Sequence, residues 1–159
     1  MSLLDKEPVK RVENLLKEFD TKQSIIVLEN SARTASEAAS SLGCETGAIV
    51  KSLLFKTENT FLLCLVSGNK KTSLNKLKKN LKINDISMAS ADEVKSITGF
   101  TIGGVSPVGH ITKLQIYIDN SLERFNYMYA AAGHPNCVFK IKFKDLQKIT
   151  NGSIKEITE

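Results

Sequence analysis

The sequence predicts an α+β fold in which helices flank a curved, mostly antiparallel mixed sheet of barrel-like shape. Short apolar runs typical of strands alternate irregularly with stretches of helical periodicity, and several runs are separated only by a short polar turn. The chain has 159 residues, 42% of them hydrophobic, which is enough to bury a core. We therefore expect a single domain over residues 1–159.

The first third of the chain predicts two helices with a short strand between them. Apolar side chains at helical spacing predict a first helix over 8–20: Val9, Val12, Leu16 and Phe19. The stretch IIVLE at 25–29 predicts a strand. Thr34 and Glu37 have the spacing of a capping box, and the short helix that they open is expected to end at Gly43.

Two long apolar runs, AIVKSLLFK at 48–56 and TFLLCLVSG at 60–68, are separated by the polar turn TEN. Neither run alternates regularly between apolar and polar residues, which indicates that both faces of each strand are buried. The two runs therefore predict a hairpin at the centre of the sheet.

The remainder of the chain predicts three helices and three strands. Leucines at helical spacing predict the first of these helices: Leu74, Leu77 and Leu81. A second capping box, from Ser90 to Glu93, opens a helix that is expected to end at Gly99. A last helix is predicted at 143–149, and the tail NGSIKEITE is expected to be frayed. The three strands are expected at 111–119, 127–132 and 137–142.

The formal net charge of +5 is compatible with an anionic partner. It also fits a chain whose basic residues are nearly all lysine for compositional reasons alone, and both interpretations stay open. The segment GNKKTSLNKLKKNLK predicts either a surface that contacts phosphates or an ordinary solvated helix face. Its lysines are Lys70, Lys71, Lys76, Lys78, Lys79 and Lys82.

The cysteines and the apolar content indicate where the protein works. Three cysteines lie far apart and none belongs to a C-x-x-C pair: Cys44, Cys64 and Cys137. This pattern favours reduced thiols and argues against a zinc site, since the chain has only two histidines. No apolar stretch is long enough to span a bilayer, and the N-terminal residues carry charge from Asp5 onward. We expect a cytoplasmic protein without a membrane segment or a secretory signal.

Lys51 lies in the middle of an apolar predicted strand. Alternate residues of a strand share a face, so Lys51 shares its face with Ile49, Leu53 and Phe55. An ammonium group there must enter a pocket or find a partner, because burying an unpaired charge is costly. Lys51 is therefore either part of a functional site or a lysine whose side chain reaches solvent at the sheet edge.

The stretch GFTIGGVSPVGH, residues 99–110, contains four glycines and one proline. It is not a phosphate-binding Walker loop, because no Gly-Lys-Ser/Thr follows, and it leads from a helix to a strand rather than the reverse. A main chain so free of side chains can present several N–H groups to an oxygen atom, with Pro107 stiffening the loop. The alternative is a wide connection that needs only turns.

These segments together resemble the YbaK/ProX family, the editing domains associated with prolyl-tRNA synthetase and their free-standing relatives. The resemblance rests on IVKSLLFK, the Lys-rich helix, TGFTIGGVSPVGH, IDNSL and AAGHPN, in that order, and spans residues 24–149. It implies a curved mixed sheet flanked by helices. It also implies hydrolysis, in trans, of the ester that links a wrong amino acid to tRNA, without cofactor or metal.

The resemblance also implies roles for individual residues. Lys51 matches the essential lysine, and the loop from Gly103 to Pro107 matches the segment that receives the aminoacyl ester. Backbone N–H groups of Gly103 and Gly104 are expected to stabilise an oxyanion in catalysis. Substrate-binding positions are expected at Val105, Ser106, Pro107, Asp119 and His134. For the last two, a strand end and an exposed turn histidine are the open alternatives.

No Ser-His-Asp or Cys-His set is discernible, so the nucleophile is expected to be water or a group of the substrate itself. The expected partners are the 3′ aminoacyl end of tRNA and prolyl-tRNA synthetase. The tRNA is expected to be tRNA-Pro carrying a small amino acid such as Cys, Ala or Ser, and a monomeric protein is favoured. The competing hypothesis is a catalytically silent module that binds the tRNA end or the synthetase. The intact Lys51 and GGVSPVG favour the hydrolase.

Overall fold

The computed structural model describes residues 2–159, which contain five α-helices and eight strands. The helices are α1 (Glu7–Phe19), α2 (Ala35–Leu42), α3 (Leu74–Leu81), α4 (Ala91–Thr98) and α5 (Phe143–Thr150). The strands are β1 (Ile26–Val27), β2 (Ile49–Thr57), β3 (Phe61–Ser67), β4 (Ile86–Met88), β5 (Gln115–Asp119), β6 (Met128–His134), β7 (Cys137–Ile141) and β8 (Ser153–Lys155). The predicted α+β class is confirmed. None of these helices is long and apolar enough to cross a membrane.

The strands form one mixed sheet in the order β1-β7-β6-β2-β3-β5-β8, with β4 paired to β2 beside this path. The β1–β7, β6–β7, β2–β3 and β2–β4 pairs are antiparallel, whereas β2–β6, β3–β5 and β5–β8 are parallel. The sheet is open rather than barrel-like. Its terminal strands β1 and β8 are only two and three residues long, and they lie at opposite ends of the order.

The predicted central hairpin is confirmed. Strand β2 pairs with β3 along its length, with Lys51 opposite Val66, and the connecting turn is closed by the Thr57 N–H, which donates to the Thr60 carbonyl at 2.8 Å. Leu63 and Leu65 pack into the main core with α1 and α5, whereas Cys64 and Val66 pack into a second cluster with α3. Both faces of β3 are covered, which explains its continuous apolar run.

Both predicted N-terminal caps are present. The Thr34 hydroxyl accepts the Glu37 N–H at the start of α2, and the Ser90–Glu93 capping box at the start of α4 is complete in both directions. Each of these helices ends in a glycine with positive φ, Gly43 at 68° and Gly99 at 80°. Residues at helix ends therefore set the boundaries that the sequence predicted.

The prediction of a frayed C-terminal tail is wrong. Strand β8 pairs in parallel with β5, and Ile157 is fully buried in the cluster beside α3. The carboxylate of Asp119 accepts the Ile157 N–H at 2.8 Å and the Thr158 hydroxyl at 3.1 Å. The tail is held by an acceptor some 38 residues upstream in sequence, which its own polar composition does not reveal.

Two strand predictions needed correction. Strand β4 was not predicted, because three residues are too few to show alternation. Strand β5 begins at Gln115 rather than at 111, because residues 111–114 are bends and irregular chain.

Candidate functional site

A cavity of about 510 Å³ opens beside the middle of β2. Strand β6 pairs with β2 only at Ile49 and Val50, and β4 pairs with it only from Phe55 to Thr57. Among residues 2–159, no strand pairs with the β2 edge between these two pairings, and the cavity lies against that edge. Its other walls come from the N-terminal end of α2, the glycine-rich loop and β6. The gap between two short pairings therefore creates the site.

Ser52 presents its polar groups to this gap. The Ile49 carbonyl accepts from Gly68 and the Thr57 N–H donates to Thr60, so odd-numbered residues of β2 direct their backbone groups toward β3. Even-numbered residues of β2 direct their backbone groups toward the opposite edge, away from β3. The Leu54 carbonyl shows this, because it accepts the Ala89 N–H at 3.0 Å. Ser52 lines the cavity, and its buried hydroxyl has no hydrogen-bond partner within residues 2–159. A buried unpaired hydroxyl is costly, and an ordered water or a ligand oxygen would supply the partner.

Lys51 also lines the cavity and is partly buried. Its ammonium donates one hydrogen bond, 2.6 Å long, to the Lys70 carbonyl, and no carboxylate within the described chain lies within ion-pair distance of it. Partial burial lowers the pKa of Lys51 below the ordinary lysine value. Two of its three N–H donors are left for a substrate oxygen.

The glycine-rich loop contributes Ile102, Gly103 and Val105 to the cavity wall. Gly103 has φ of +95°, which favours glycine. Throughout the described residues, the N–H groups of Gly103 and Val105 find no protein acceptor. The Gly104 N–H, in contrast, donates to the Thr101 carbonyl at 2.9 Å within the loop. The N–H groups of Gly103 and Val105, on either side of Gly104, are therefore available to an acceptor from outside the chain.

Gly104 has a different requirement, which is close backbone packing. A Cβ atom there would lie 2.9 Å from the His134 nitrogen and 3.1 Å from the Gly133 carbonyl carbon. The Gly104 carbonyl accepts the Gly133 N–H at 3.1 Å. His134 lies behind the loop and outside the cavity lining, with its Nδ1 accepting the Asn136 N–H at 3.0 Å. Desolvation, followed by the nearby charges of Lys6 and Arg33, lowers the pKa of His134.

Ser106, Pro107 and Asp119 also lie outside the cavity lining. Ser106 is fully buried, its hydroxyl accepts the Val108 N–H, and its carbonyl accepts from the His110 ring at 2.7 Å. Pro107 lines a separate, smaller cavity of about 250 Å³ beside α1. Asp119 is fully buried, and its oxygens accept from Ser121, Ile157 and Thr158, as in a structural anchor for the tail.

The residues that line the cavity carry positive charge and no negative charge. It includes two cations, Lys51 and Arg33, and no aspartate, glutamate, histidine or cysteine. Arg33 is exposed at the N-terminal end of α2, with its Cγ 3.5 Å from where a Gly103 Cβ would lie. Met88 and Ile102 add exposed apolar surface at the rim, with 61% and 62% of their area accessible. The cavity suits a ligand with anionic or carbonyl oxygens and an apolar portion.

Sequence reasoning missed Ser52 and Arg33. Ser52 is one small residue within an apolar run, and its importance depends on where β4 and β6 end. Arg33 precedes a helix cap and carries no motif signal. No group of three or more metal-ligating His, Cys, Asp or Glu side chains occurs within residues 2–159.

Known proteins resemble this chain in both sequence and fold. A family model described as the aminoacyl-tRNA editing domain matches residues 29–149. The chain is 31% identical over 157 residues to a proline–tRNA ligase of Caldicellulosiruptor bescii, covering 93% of this chain and 26% of the ligase. It is 27% identical over 126 residues to a candidate Cys-tRNA(Pro)/Cys-tRNA(Cys) deacylase of Enterococcus faecalis, covering 79% of this chain and 77% of that protein.

A solved structure of a candidate trans-editing enzyme for prolyl-tRNA synthetase superimposes with a TM-score of 0.90. The two chains are 36% identical, and the match covers 97% of this chain and 98% of that one. The family match includes β2, the glycine-rich loop and β6, which are the elements that build the cavity. This chain therefore belongs to the aminoacyl-tRNA editing domain family, the YbaK type that its motifs resemble.

Proposed function

We propose that this protein hydrolyses the ester bond of wrongly charged aminoacyl-tRNA, acting in trans and in the cytoplasm. We further propose tRNA-Pro carrying a small amino acid such as Cys, Ala or Ser as the substrate. The observation that carries the proposal is the cavity at the β2 edge, where Lys51 and the glycine-rich loop meet without any acidic residue in the lining. The family to which the chain belongs supports the same activity, as do relatives whose names describe a deacylase and a trans-editing enzyme.

Such an activity is needed because a synthetase selects its amino acid with limited accuracy. A binding pocket separates amino acids that differ by one methylene by only about 1–3 kcal/mol, so a synthetase needs a second, hydrolytic step to reach high accuracy. The cavity, at about 510 Å³, is large enough for an aminoacyl group and part of the terminal adenosine. Val50, Leu54 and Val105 give it an apolar wall that suits a small side chain.

Each residue of the cavity has its own role in the proposed hydrolysis. The Gly103 and Val105 N–H groups supply hydrogen bonds to the carbonyl oxygen as it becomes an oxyanion, an interaction worth about 2.7–4 kcal/mol per donor in other hydrolases. The Lys51 ammonium holds a substrate oxygen beside the loop as a positive point charge. The Ser52 hydroxyl and its edge N–H and C=O fix the polar part of the aminoacyl group. Arg33, at the mouth, faces the phosphates of the acceptor end.

The nucleophile in this proposal is water or a ribose hydroxyl of the substrate. The lining has no carboxylate, imidazole or thiol to act as a protein nucleophile or general base. The water oxygen bonds to the ester carbon, the bond from that carbon to the ribose oxygen breaks, and the proton that water gives up passes to the ribose oxygen. A ribose hydroxyl that attacks first only becomes the new ester oxygen, and the same attack by water then completes the hydrolysis. The products are the free amino acid and uncharged tRNA.

A panel of mischarged tRNAs tests the proposal. We expect protein-dependent loss of the aminoacyl group from tRNA-Pro charged with Cys, Ala or Ser, and slower loss from correctly charged Pro-tRNA-Pro. Single-turnover release of labelled amino acid is the measurement. Tight binding of every charged tRNA with no release would instead establish the silent binding module.

The lysine-rich segment forms a separate surface, for which we propose contact with tRNA phosphates. Lys76 is engaged there with Glu156 at 3.1 Å and the Thr158 carbonyl at 2.7 Å. Lys71, Lys78 and Lys79 have no acidic partner among the described residues. Lys70 and Lys82 also have no acidic partner there, so all of these lysines except Lys76 are free to meet phosphate.

Replacing Lys71, Lys78 and Lys79 together by Gln is expected to weaken tRNA binding and to leave turnover at saturation unchanged. For each phosphate that the variant no longer neutralises, the slope of log affinity against log salt should become shallower by about 0.7–0.9. Titrations of uncharged tRNA at several salt concentrations measure this slope. An unchanged slope would identify the segment as a solvated helix face.

We also propose that the chain acts as one monomeric domain that can cooperate with prolyl-tRNA synthetase. The match to proline–tRNA ligase supports the connection, since this chain corresponds to 26% of that enzyme. Co-elution of the purified protein with the synthetase on a sizing column measures the association directly.

A further inference from the structure

Arg11, on α1, connects the two ends of the glycine-rich loop. Its Nε donates to the Gly109 carbonyl at 2.5 Å, and its Nη2 donates to the Gly99 carbonyl at 3.3 Å. The guanidinium also lies 4.7 Å from the ring centroid of Phe100, which is buried. Glu7, one turn earlier on α1, accepts from Arg11 Nη1 at 2.6 Å with both carboxylate oxygens. One side chain therefore closes the base of the loop.

The loop has no regular structure of its own and is oriented by contacts at its tip and at its base. Residues 101–109 contain no helix or strand, and Gly109, like Gly99, has positive φ. At the tip, the Gly104 carbonyl accepts the Gly133 N–H, and Val105 is buried in the main core. At the base, where the two glycines permit several orientations, Arg11 joins both ends.

The tip of this loop carries the groups that face the cavity. Gly103 and Val105 line it, and their N–H groups have no protein acceptor in the described chain. On its far side the loop packs against Gly133, and an added Cβ at Gly133 would lie 2.8 Å from the Pro8 carbonyl oxygen. Helix α1 therefore supports the loop directly, through Arg11, and indirectly, through the end of β6.

We propose that Arg11 is a positioning residue for the reaction, which holds the loop so that the Gly103 and Val105 N–H groups meet the developing oxyanion. This inference rests on the proposed hydrolysis. Arginine is required because its planar fork serves two carbonyls and a carboxylate at once, whereas a lysine ammonium cannot match all three directions. A small displacement of oxyanion donors is enough to lower turnover strongly.

Kinetics of Arg11 variants test this role. We expect Arg11→Met to lower kcat by about 10- to 100-fold with KM changed less than twofold, because the loop moves and the tRNA-binding surface does not. Arg11→Lys should recover part of the activity by restoring one hydrogen bond. Lys10→Met is the matched control, since Lys10 is exposed on the same helix and should leave kcat unchanged. A kcat within twofold of the wild type in folded Arg11→Met would overturn the proposal.

Amide hydrogen exchange tests the same role without any catalysis. We expect faster exchange at residues 101–108 in Arg11→Met, with unchanged exchange in β2 and β3. Unchanged exchange in the loop contradicts the inference even if the wild type hydrolyses no charged tRNA, so the two proposals fail separately. If Arg11→Met does not fold, Glu7→Gln replaces it. That variant keeps the arginine but removes its carboxylate partner, and it should shift loop exchange and kcat in the same direction by less.

Discussion

Lys51→Met is expected to abolish deacylation while the protein remains folded. Methionine keeps most of the aliphatic length of lysine but removes the ammonium that we place against a substrate oxygen. Removing one such electrostatic interaction from a hydrolase costs about 10²–10³-fold in kcat. Single-turnover release of the amino acid from mischarged tRNA, beside a melting curve, measures both effects. Lys51→Arg should not restore full activity, because the cavity and the Lys70 carbonyl fit a compact charge.

The pH dependence of the same lysine provides a second measurement. Burial lowers the pKa of Lys51 in the folded protein, so the unfolded chain binds this proton more tightly. The lysine therefore opposes folding at neutral pH, and the opposition fades as pH rises from its folded pKa to its higher unfolded pKa. Lys51→Met is expected to raise Tm at neutral pH, with the gain shrinking at alkaline pH. Wild-type activity should fall on the alkaline side before an ordinary lysine would lose its proton.

Lys56→Met is the matched control for both measurements. Lys56 lies on the same strand, is exposed, and pairs at the surface with Glu93 at 3.0 Å. We expect full activity and little change in Tm, since exposed ion pairs contribute only about 0–1 kcal/mol. Full activity in a folded Lys51→Met protein would refute the proposed role of Lys51. If Lys51→Met does not fold, Lys51→Arg replaces it in the test. Full activity of Lys51→Arg would contradict the role given to the compact ammonium group.

The parts of the fold that sequence could predict are those specified by near neighbours in the chain. The capping box at Ser90 and the glycine after α4 lie within one short segment, and both are found as predicted. The β2–β3 hairpin was predictable because each run is apolar on both faces and the turn is short. The anchoring of the tail by Asp119 was not, because it depends on a carboxylate and an amide 38 residues apart.

The residues of the candidate site also fall into those that the sequence could predict and those that it could not. Lys51 was recognisable as a charge within an apolar strand, and the loop was recognisable by its glycines. Ser52 was not, because its significance arises from the registers at which β4 and β6 stop pairing with β2. Within the loop, Gly103 and Gly104 look alike in sequence. The turn contact to Thr101 occupies the Gly104 N–H and makes Val105, rather than Gly104, the second available donor.

Gly104→Val is expected to stop turnover and to lower Tm. The added Cβ would lie 2.9 Å from the His134 nitrogen and 3.0 Å from its Cα, and these backbone atoms cannot rotate away as a side chain would. The loop must move away from β6 to admit the new side chain, which displaces Gly103 and Val105 from the cavity wall. A displacement of about 1 Å at a reacting centre can cost 10²-fold in rate, so we expect a decrease of at least about that size. Gly104→Ala should show a smaller decrease of the same kind.

Gly43→Ala separates this packing effect from the general cost of replacing a glycine. Gly43 has φ of +68°, no described residue beyond its two neighbours in sequence has a heavy atom within 4 Å of an added Cβ, and it lies outside the cavity lining. The substitution should lower stability by about 1 kcal/mol through backbone strain alone and leave kcat unchanged. Measured together, kcat and Tm should fall in both Gly104 variants, whereas only Tm should fall in Gly43→Ala. Equal turnover in Gly104→Ala and wild type would show that the loop can yield at β6 without losing its catalytic geometry, and would contradict the role given to its close packing.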